Sequence, residues 1–242
     1  MPYYSPYYYS YKSSGLLLVL ICAIFAMWAS TNVNSTFKKY SKQRSVRGIT
    51  GAQAAQRVLS ANGVYGVRIE RVSGNLTDHY DPKTNVIRLS DSVHSSTSVA
   101  AIGVACHEAG HAVQYARNYA PIKVRAAIIP ITNIGSKLAM PLILIGILLS
   151  YLGNFSYAIV YFGIACFGLS LLFQLVTLPV EFNASRRAME AIESGNLLTA
   201  EEQRGAKNTL KAAAMTYVAA TAVALAQLLR LIILFGGRRR RD

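Results

Sequence analysis

Apolar residues in this chain gather into four long runs, and the stretches between them alternate polar and apolar positions at helical or strand spacing. The runs are Gly15–Ser30, Ala126–Tyr151, Phe155–Leu178 and Ala212–Phe235. A helix needs roughly 20 apolar residues to cross a hydrocarbon core of about 30 Å, so each run reads as a membrane helix. Positive charge is stronger after the first run, from Lys38 onward, than before it, which predicts an uncleaved helix with its amino terminus outside. Pro130 and Pro141 should kink the second run or shift its start. Leu152-Gly153-Asn154 carries no charge, so the second and third runs predict a helical hairpin with its turn outside. The fourth run holds Gln227 and Arg230 and is followed by Arg238–Arg241. Its length predicts a full crossing, its basic tail favours the cytoplasmic side, and both arrangements stand at this level.

The polar segments carry shorter patterns. Thr50 is placed to cap a helix in which Ala52, Ala55, Val58 and Leu59 recur at helical spacing up to Gly63. Val67–Val72 alternates imperfectly, as a short strand does. Leu76–Tyr80 and Val86–Leu89 flank Asp81-Pro82-Lys83-Thr84-Asn85, a loop with strong turn chemistry, and predict a hairpin. The Ser95-Ser96-Thr97-Ser98 cluster supplies a cap for a helix that follows. Beyond the third apolar run, Glu181–Ser194 predicts a separate polar helix ended by Gly195, and Thr199 caps another containing Glu201 and Glu202. Residues 1–14, rich in Tyr, Ser and Pro, predict a tail without a packed-core pattern, its tyrosines suited to the membrane interface.

Composition sharpens this picture. Hydrophobic residues make up 52% of the 242 positions and charged ones only 15%, a deficit that points away from a soluble domain. The net charge of +14 could suit a nucleic-acid binder. Here, however, the basic residues cluster at the ends of apolar runs: Lys38, Lys39, Lys42, Arg44 and Arg47; Lys123 and Arg125; Arg186 and Arg187; Arg238–Arg241. That is the distribution of topology signals and of contacts with anionic lipid head groups. Aromatic residues do not alternate with them as a nucleic-acid face requires, so the lipid bilayer is the expected partner and nucleic acid is not. Cys22, Cys106 and Cys166 lack CxxC spacing and read as buried thiols without a disulfide, in keeping with a reducing compartment.

One short motif carries chemistry. His107-Glu108-Ala109-Gly110-His111 lies in the helix expected after Ser98. Histidines four residues apart stand one turn above each other, so both rings can reach one metal ion. Glu108 points to one side of them, where it can take a proton from a water on that metal. Its neighbours Val104, Ala105, Cys106, Ala109, Ala112 and Val113 are apolar, and no Lys or Arg lies within a turn. Burying a carboxylate and two imidazoles there is costly unless a divalent cation compensates, which favours zinc over a chance match.

A hydrolytic zinc site takes three protein ligands and leaves one position for water. Gln114 and Arg117 stand where a metzincin would have Gly and His, which excludes that class. His79 and His94 lie upstream, and after the motif the acidic residues are Glu181, Glu190, Glu193, Glu201, Glu202 and Asp242. The membrane hairpin returns Glu181 toward the motif helix, and a carboxylate in Val-Glu-Phe is dehydrated unless something pairs with it. Glu181 is therefore the favoured third ligand; the competing reading is a carboxylate favoured by the dipole at a helix amino terminus. Residues 75–80 could form a sheet edge to which a peptide substrate adds as a strand. His79 would then lie near the scissile carbonyl and stabilise the oxyanion, unless it is simply a solvent-facing hairpin residue.

ACHEAGHAVQYA, the preceding LTDHYDP and RLSDSV, and LPVEFNASRRAM together resemble the bacterial family of putative neutral zinc metallopeptidases anchored in the membrane. The resemblance covers the chain from residue 1 to about residue 235. It implies a gluzincin-like site with His107, His111 and Glu181 on zinc and Glu108 as general base. The chain is more distantly similar to heat-shock and prenyl-processing membrane proteases, whose third ligand lies in a Glu-x-x-x-Asp pattern. Ser185 stands where that Asp would fall, so Asp78, Asp81 or Asn183 would have to hold a histidine ring in its place.

The expectation is an α-helical membrane protein of about four membrane helices with a small α+β zincin-like metalloprotease domain. Residues 1–14 form the tail, 15–33 the first transmembrane helix and 34–125 a cytoplasmic zincin-like region with the motif helix. Residues 126–178 form the hairpin, 179–211 a helical region with the third ligand, 212–235 the fourth membrane helix and 236–242 a basic tail. The expected activity is zinc-dependent hydrolysis of a peptide or membrane-protein substrate at the cytoplasmic surface of a bacterial plasma membrane. An intramembrane-cleaving metalloprotease is a second reading, because Val99–Ala116 is itself fairly apolar, but the Asn-Pro…Asp-Gly setting of that class is absent. A membrane scaffold with structural zinc is a third, weakened because such sites usually take four ligands.

Overall fold

A computed structural model describes residues 6–236. In chain order the elements are α1 (Pro6–Tyr40), α2 (Gly51–Ala61), β1 (Arg68–Val72), β2 (His79–Asp81), β3 (Val86–Ser90), α3 (Val99–Ala116), α4 (Ala120–Leu148), a 3-10 turn (Ser150–Leu152), α5 (Asn154–Ser194) and α6 (Ala200–Gly236). The chain forms two compact units, each assembled from segments far apart in sequence. One holds the described residues up to Trp28, Val124–Thr177 and the described residues from Tyr217 onward; the other holds Ala29–Lys123 and Leu178–Thr216.

The first unit is helical. α4 and α5 run antiparallel, and Gly163 is where α5 passes the backbone of α4: a methyl group there would stand 3.0 Å from the Ala139 carbonyl oxygen. Ile143, Val160, Ile164 and Leu231 form the buried cluster that joins α4, α5 and α6. The Tyr161 hydroxyl donates to the Phe235 carbonyl at 3.0 Å, and the Arg230 side chain passes Gly15 of α1. The start of α5, the end of α6 and Gly15 therefore share one end of this unit. Arg230 falls within two turns of Gly236. α1, α4, α5 and α6 are each long and apolar enough to cross a membrane. Ile24, Met27, Leu148, Phe155 and Phe162 on these helices are exposed, as side chains facing lipid are.

Three boundaries differ from the sequence expectation. α1 begins at Pro6, inside the expected tail, and runs to Tyr40; α5 continues through Pro179 to Ser194; α6 runs unbroken from Ala200 to Gly236. Glu181 thus lies inside a helix instead of starting one. The physical reason is shared. A change from apolar to polar side chains alters the preferred surroundings without interrupting backbone hydrogen bonds, and Pro179 withdraws only its own donor from the Leu175 carbonyl. Residues 1–5 of the expected tail and Arg238–Arg241 lie outside the described residues.

In the second unit, β3 is central in a sheet of order β1-β3-β2, parallel to β1 and antiparallel to β2. Asp81 closes the β2–β3 turn by accepting from the Lys83 N–H at 3.0 Å and the Thr84 hydroxyl at 2.7 Å. Thr50 and Gln53 form a reciprocal capping box at the start of α2. Ser98 caps α3 by accepting from the Ala101 N–H at 3.3 Å. α3 is buried on nearly every side, and its alanines at 100, 101, 105, 109 and 112 let the surrounding elements close in. Leu59, Ile87, Leu89, Ile102, Ile192 and Leu198 fill the core around it. The Ser45 N–H donates to Thr97 and the Val99 N–H to Gln43, both at 2.9 Å, tying the link before α2 to the start of α3.

Glu202, buried in the first turn of α6, accepts from the Thr199 N–H at 2.9 Å and the Val46 N–H at 2.7 Å. Glu202→Ala leaves both donors without that acceptor, and hydrogen bonds to a charged group contribute about 1.5–3 kcal/mol each. We expect denaturant unfolding in detergent to show a loss of about 3 kcal/mol or more, with metal stoichiometry unchanged. A loss below about 0.5 kcal/mol, the scale of ordinary surface substitutions, would contradict this role.

Candidate metal centre

α3 carries His107 and His111 on one face, their ring centroids 4.7 Å apart and their planes 85° from parallel. Glu181 enters from α5, its Oε2 lying 3.3 Å from His107 Nε2 and 3.6 Å from His111 Nε2. The three candidate ligand atoms all lie within 4.8 Å of one another. His111 and Glu181 are buried and His107 is half-buried. Two imidazole nitrogens and one carboxylate oxygen are the donor set of a hydrolytic zinc site, so the residues present fit that ion.

Gly110 makes the meeting possible. A methyl group on it would stand 2.8 Å from the Ala184 carbonyl oxygen and 3.4 Å from Ala184 Cα. Without a side chain there, the backbone of α5 closes on α3. Glu181 and Ser185, four residues apart on one face of α5, then straddle the contact.

Each ring is held from behind. Ser185 Oγ lies 3.1 Å from His107 Nδ1, and Gln114 Oε1 lies 3.0 Å from His111 Nδ1. Both Nε2 atoms face Glu181. The residues expected to stand in for a missing aspartate do not touch a ring. Asp78 accepts from the Ser90 N–H and hydroxyl, at 2.7 and 2.9 Å, and Asp81 is consumed by the hairpin turn and Arg88. Asn183 accepts from Gln114 at 3.0 Å instead. Ser185 itself does the work on His107, because the approach at Gly110 brings α5 within reach of a short side chain. Gln114 was legible only as an obstacle to a metzincin pattern; its position three residues after His111 was the available signal.

The electrostatics also call for positive charge. Burial alone would lower the pKa of His111. The hydrogen bond with Glu181 and the charges of Glu108 and Glu181, with Gln114 in support, outweigh burial and hold it above the ordinary imidazole value. Burial pushes the Asp78 carboxyl up, against the hydrogen bonds from Ser90, and the Glu108 charge pushes in the same direction. Glu108 is itself buried. Carboxylates and imidazoles so close together are stabilised by a divalent cation.

The other expected candidates lie elsewhere. His79 is exposed on β2, and its Nδ1 lies 2.8 Å from the Thr77 carbonyl, which can only accept. Nδ1 therefore carries a hydrogen, and in the neutral ring Nε2 is bare. His94 pairs with the Ser95 hydroxyl at 3.0 Å and is not among the clustered donors. Cys106 is buried, and burial pushes its thiol pKa up, so it stays protonated.

Comparison with known proteins agrees with this chemistry. A family model described as "Putative neutral zinc metallopeptidase" matches residues 15–236. The chain is 44% identical over 220 residues to "Putative membrane protease YugP" of Bacillus subtilis (strain 168), covering 91% of this chain and 96% of that protein. No solved structure matches.

Gly110→Ala tests the helix contact directly. The added methyl meets backbone rather than a flexible side chain, so α5 must move away and take Glu181 and Ser185 with it. Zinc affinity, measured by chelator competition, is expected to fall at least about tenfold, in the range seen when metal-site support is lost. Affinity equal to that of the unsubstituted protein would mean that the contact does not set the site.

Proposed function

This chain belongs to the family described as putative neutral zinc metallopeptidases, and on that footing we propose that it is an integral-membrane zinc endopeptidase with a gluzincin-like site. It acts, in this reading, on peptide bonds at the cytoplasmic surface of a bacterial plasma membrane. The observation that carries the reading is the meeting of His107, His111 and Glu181 within 4.8 Å, with Glu108 on the same helix. Three donors leave a position for water, whereas structural zinc is usually closed by four ligands. α3 is not among the helices long and apolar enough to cross a membrane, which favours action at the surface over cleavage inside the bilayer.

Zinc held by these donors would supply a Lewis acid that polarises the substrate carbonyl and acidifies water. Glu108 accepts the proton of the attacking water as its oxygen bonds to the peptide carbon. It then delivers that proton to the nitrogen as the C–N bond breaks. The free edge of β2 supports docking of an extended peptide, from a soluble or membrane protein, as an added strand in a zincin-like arrangement. His79 on that edge is the candidate to stabilise the oxyanion. Because Nδ1 is committed to Thr77, it does so from Nε2 only when the ring is doubly protonated. The basic residues Lys38, Lys39, Lys42, Arg44, Arg186 and Arg187 support a cytoplasmic placement beside anionic lipid.

Glu108→Gln is expected to keep one equivalent of zinc and to lose about 10²–10⁴-fold in peptide turnover, the usual contribution of a positioned general base. His107→Ala, His111→Ala and Glu181→Ala should each weaken zinc binding. If Glu181→Ala binds zinc normally while His79→Ala or His94→Ala does not, the third ligand is misassigned. Proteomic comparison of membranes holding wild type and Glu108→Gln reads out the substrates, and identical profiles would count against a protease.

Cysteines introduced at Lys42 and Arg186 should resist an impermeant thiol reagent in intact cells, while one at Asn154 should react. The reverse pattern rejects the cytoplasmic placement.

A further inference from the structure

The carboxamide of Gln114 is fully buried, and its hydrogen bonds admit a single orientation. Arg187 Nε can only donate, and it does so to Asn183 Oδ1 at 2.8 Å, which identifies the oxygen end of the Asn183 amide. Gln114 Nε2 then spends its two hydrogens on that oxygen, at 3.0 Å, and on the Val180 carbonyl, at 2.8 Å. What remains facing His111 Nδ1 is Gln114 Oε1, an acceptor, at 3.0 Å. Nδ1 must therefore carry the hydrogen, and the neutral ring presents a bare Nε2 toward Glu181. Three side chains in series leave His111 one tautomer, and it is the one able to ligate a cation through Nε2.

We propose that Gln114 is a positioning residue for the metal: by fixing the tautomer and tilt of His111 it sets how tightly the centre holds its cation, with Asn183 and Arg187 holding Gln114 in turn. The presence of a cation is taken from the metallopeptidase reading; hydrolysis is not. The opposite tautomer would aim an N–H at Glu181 and block the cation. A ring freed from Gln114 can adopt it and can rotate away, so part of the binding free energy goes into restoring the ligating form. A carboxylate at this position could hold the ring as well, but it would add a buried negative charge beside Glu108 and Glu181. A neutral amide fixes the ring without that cost.

The test uses the full-length protein in detergent. Zinc affinity is read by chelator competition, the ligand field by the visible spectrum of the cobalt-loaded form, and thermal unfolding by a scan in excess chelator. Gln114→Leu is expected to weaken zinc by about 10–100-fold and to shift the cobalt bands. Arg187→Leu, at the half-buried end of the series, is expected to weaken zinc about threefold, a smaller effect than the direct partner gives. A purely structural role would lower the metal-free unfolding midpoint and leave zinc affinity and cobalt bands unmoved, and that result overturns the proposal. Should Gln114→Leu fail to fold, Arg187→Leu decides the matter, and wild-type zinc affinity in it is the overturning result. Zinc-tight wild type without peptidase activity would defeat the peptidase reading and leave this assignment standing.

Discussion

The backbone of α5 lies against α3 at Gly110, and the candidate metal centre depends on that contact as much as on its donor residues. An HExxH pattern can bring only its own two histidines together. The third donor has to be delivered by another helix, and Glu181 and Ser185 are short side chains. Helix axes usually stand 8–10 Å apart, set by the side chains between them. A glycine at the crossing allows the close approach, and Ala184 and Ala188 on α5 keep the facing surface low. The same small residues leave little slack. Any side chain added at the crossing must be absorbed by shifting a backbone that carries a ligand.

Charge sets the second condition. Glu108, Glu181 and Asp78 bring carboxyl groups into or beside one buried region. Burial, with a smaller push from the Glu108 charge, raises the Asp78 pKa, and the bond to Glu181 with the charges of Glu108 and Glu181 raises that of His111 against burial. Both candidate ligand rings are supported by neutral groups, a hydroxyl and an amide, rather than by a further acid. Support of this kind orients the rings without deepening the negative potential. A site so arranged suits a divalent cation beside Glu181.

Much of this was legible in the residues because it is local. His107 and His111 belong to one helix, so periodicity alone places them together, and the caps at Thr50 and Ser98 are signals of a few residues each. Glu181 stood out as an acid in an apolar setting next to a membrane run. Gln114 did not, because its role exists only through Val180 and Asn183, some 66 and 69 residues further on. Ser185 was read as a missing aspartate, since a hydroxyl carries no sign of its task until the helix spacing is known. The helix boundaries near Glu181 and Ala212 were misjudged for a different reason: composition changes there, and backbone hydrogen bonding does not.

The distance between ligands along the chain also has a bearing on biosynthesis. Glu181 follows His111 by 70 residues, and those residues include all of α4 and much of α5. At a translation rate of roughly 5–20 residues per second, the two histidines leave the ribosome about 4–14 s before their partner. Until then the nascent chain has two imidazoles without the carboxylate that completes the candidate donor set. The candidate donor set can be completed only after α4 and the first part of α5 have been synthesised, so a half-made chain holds two of its three members and waits for the third.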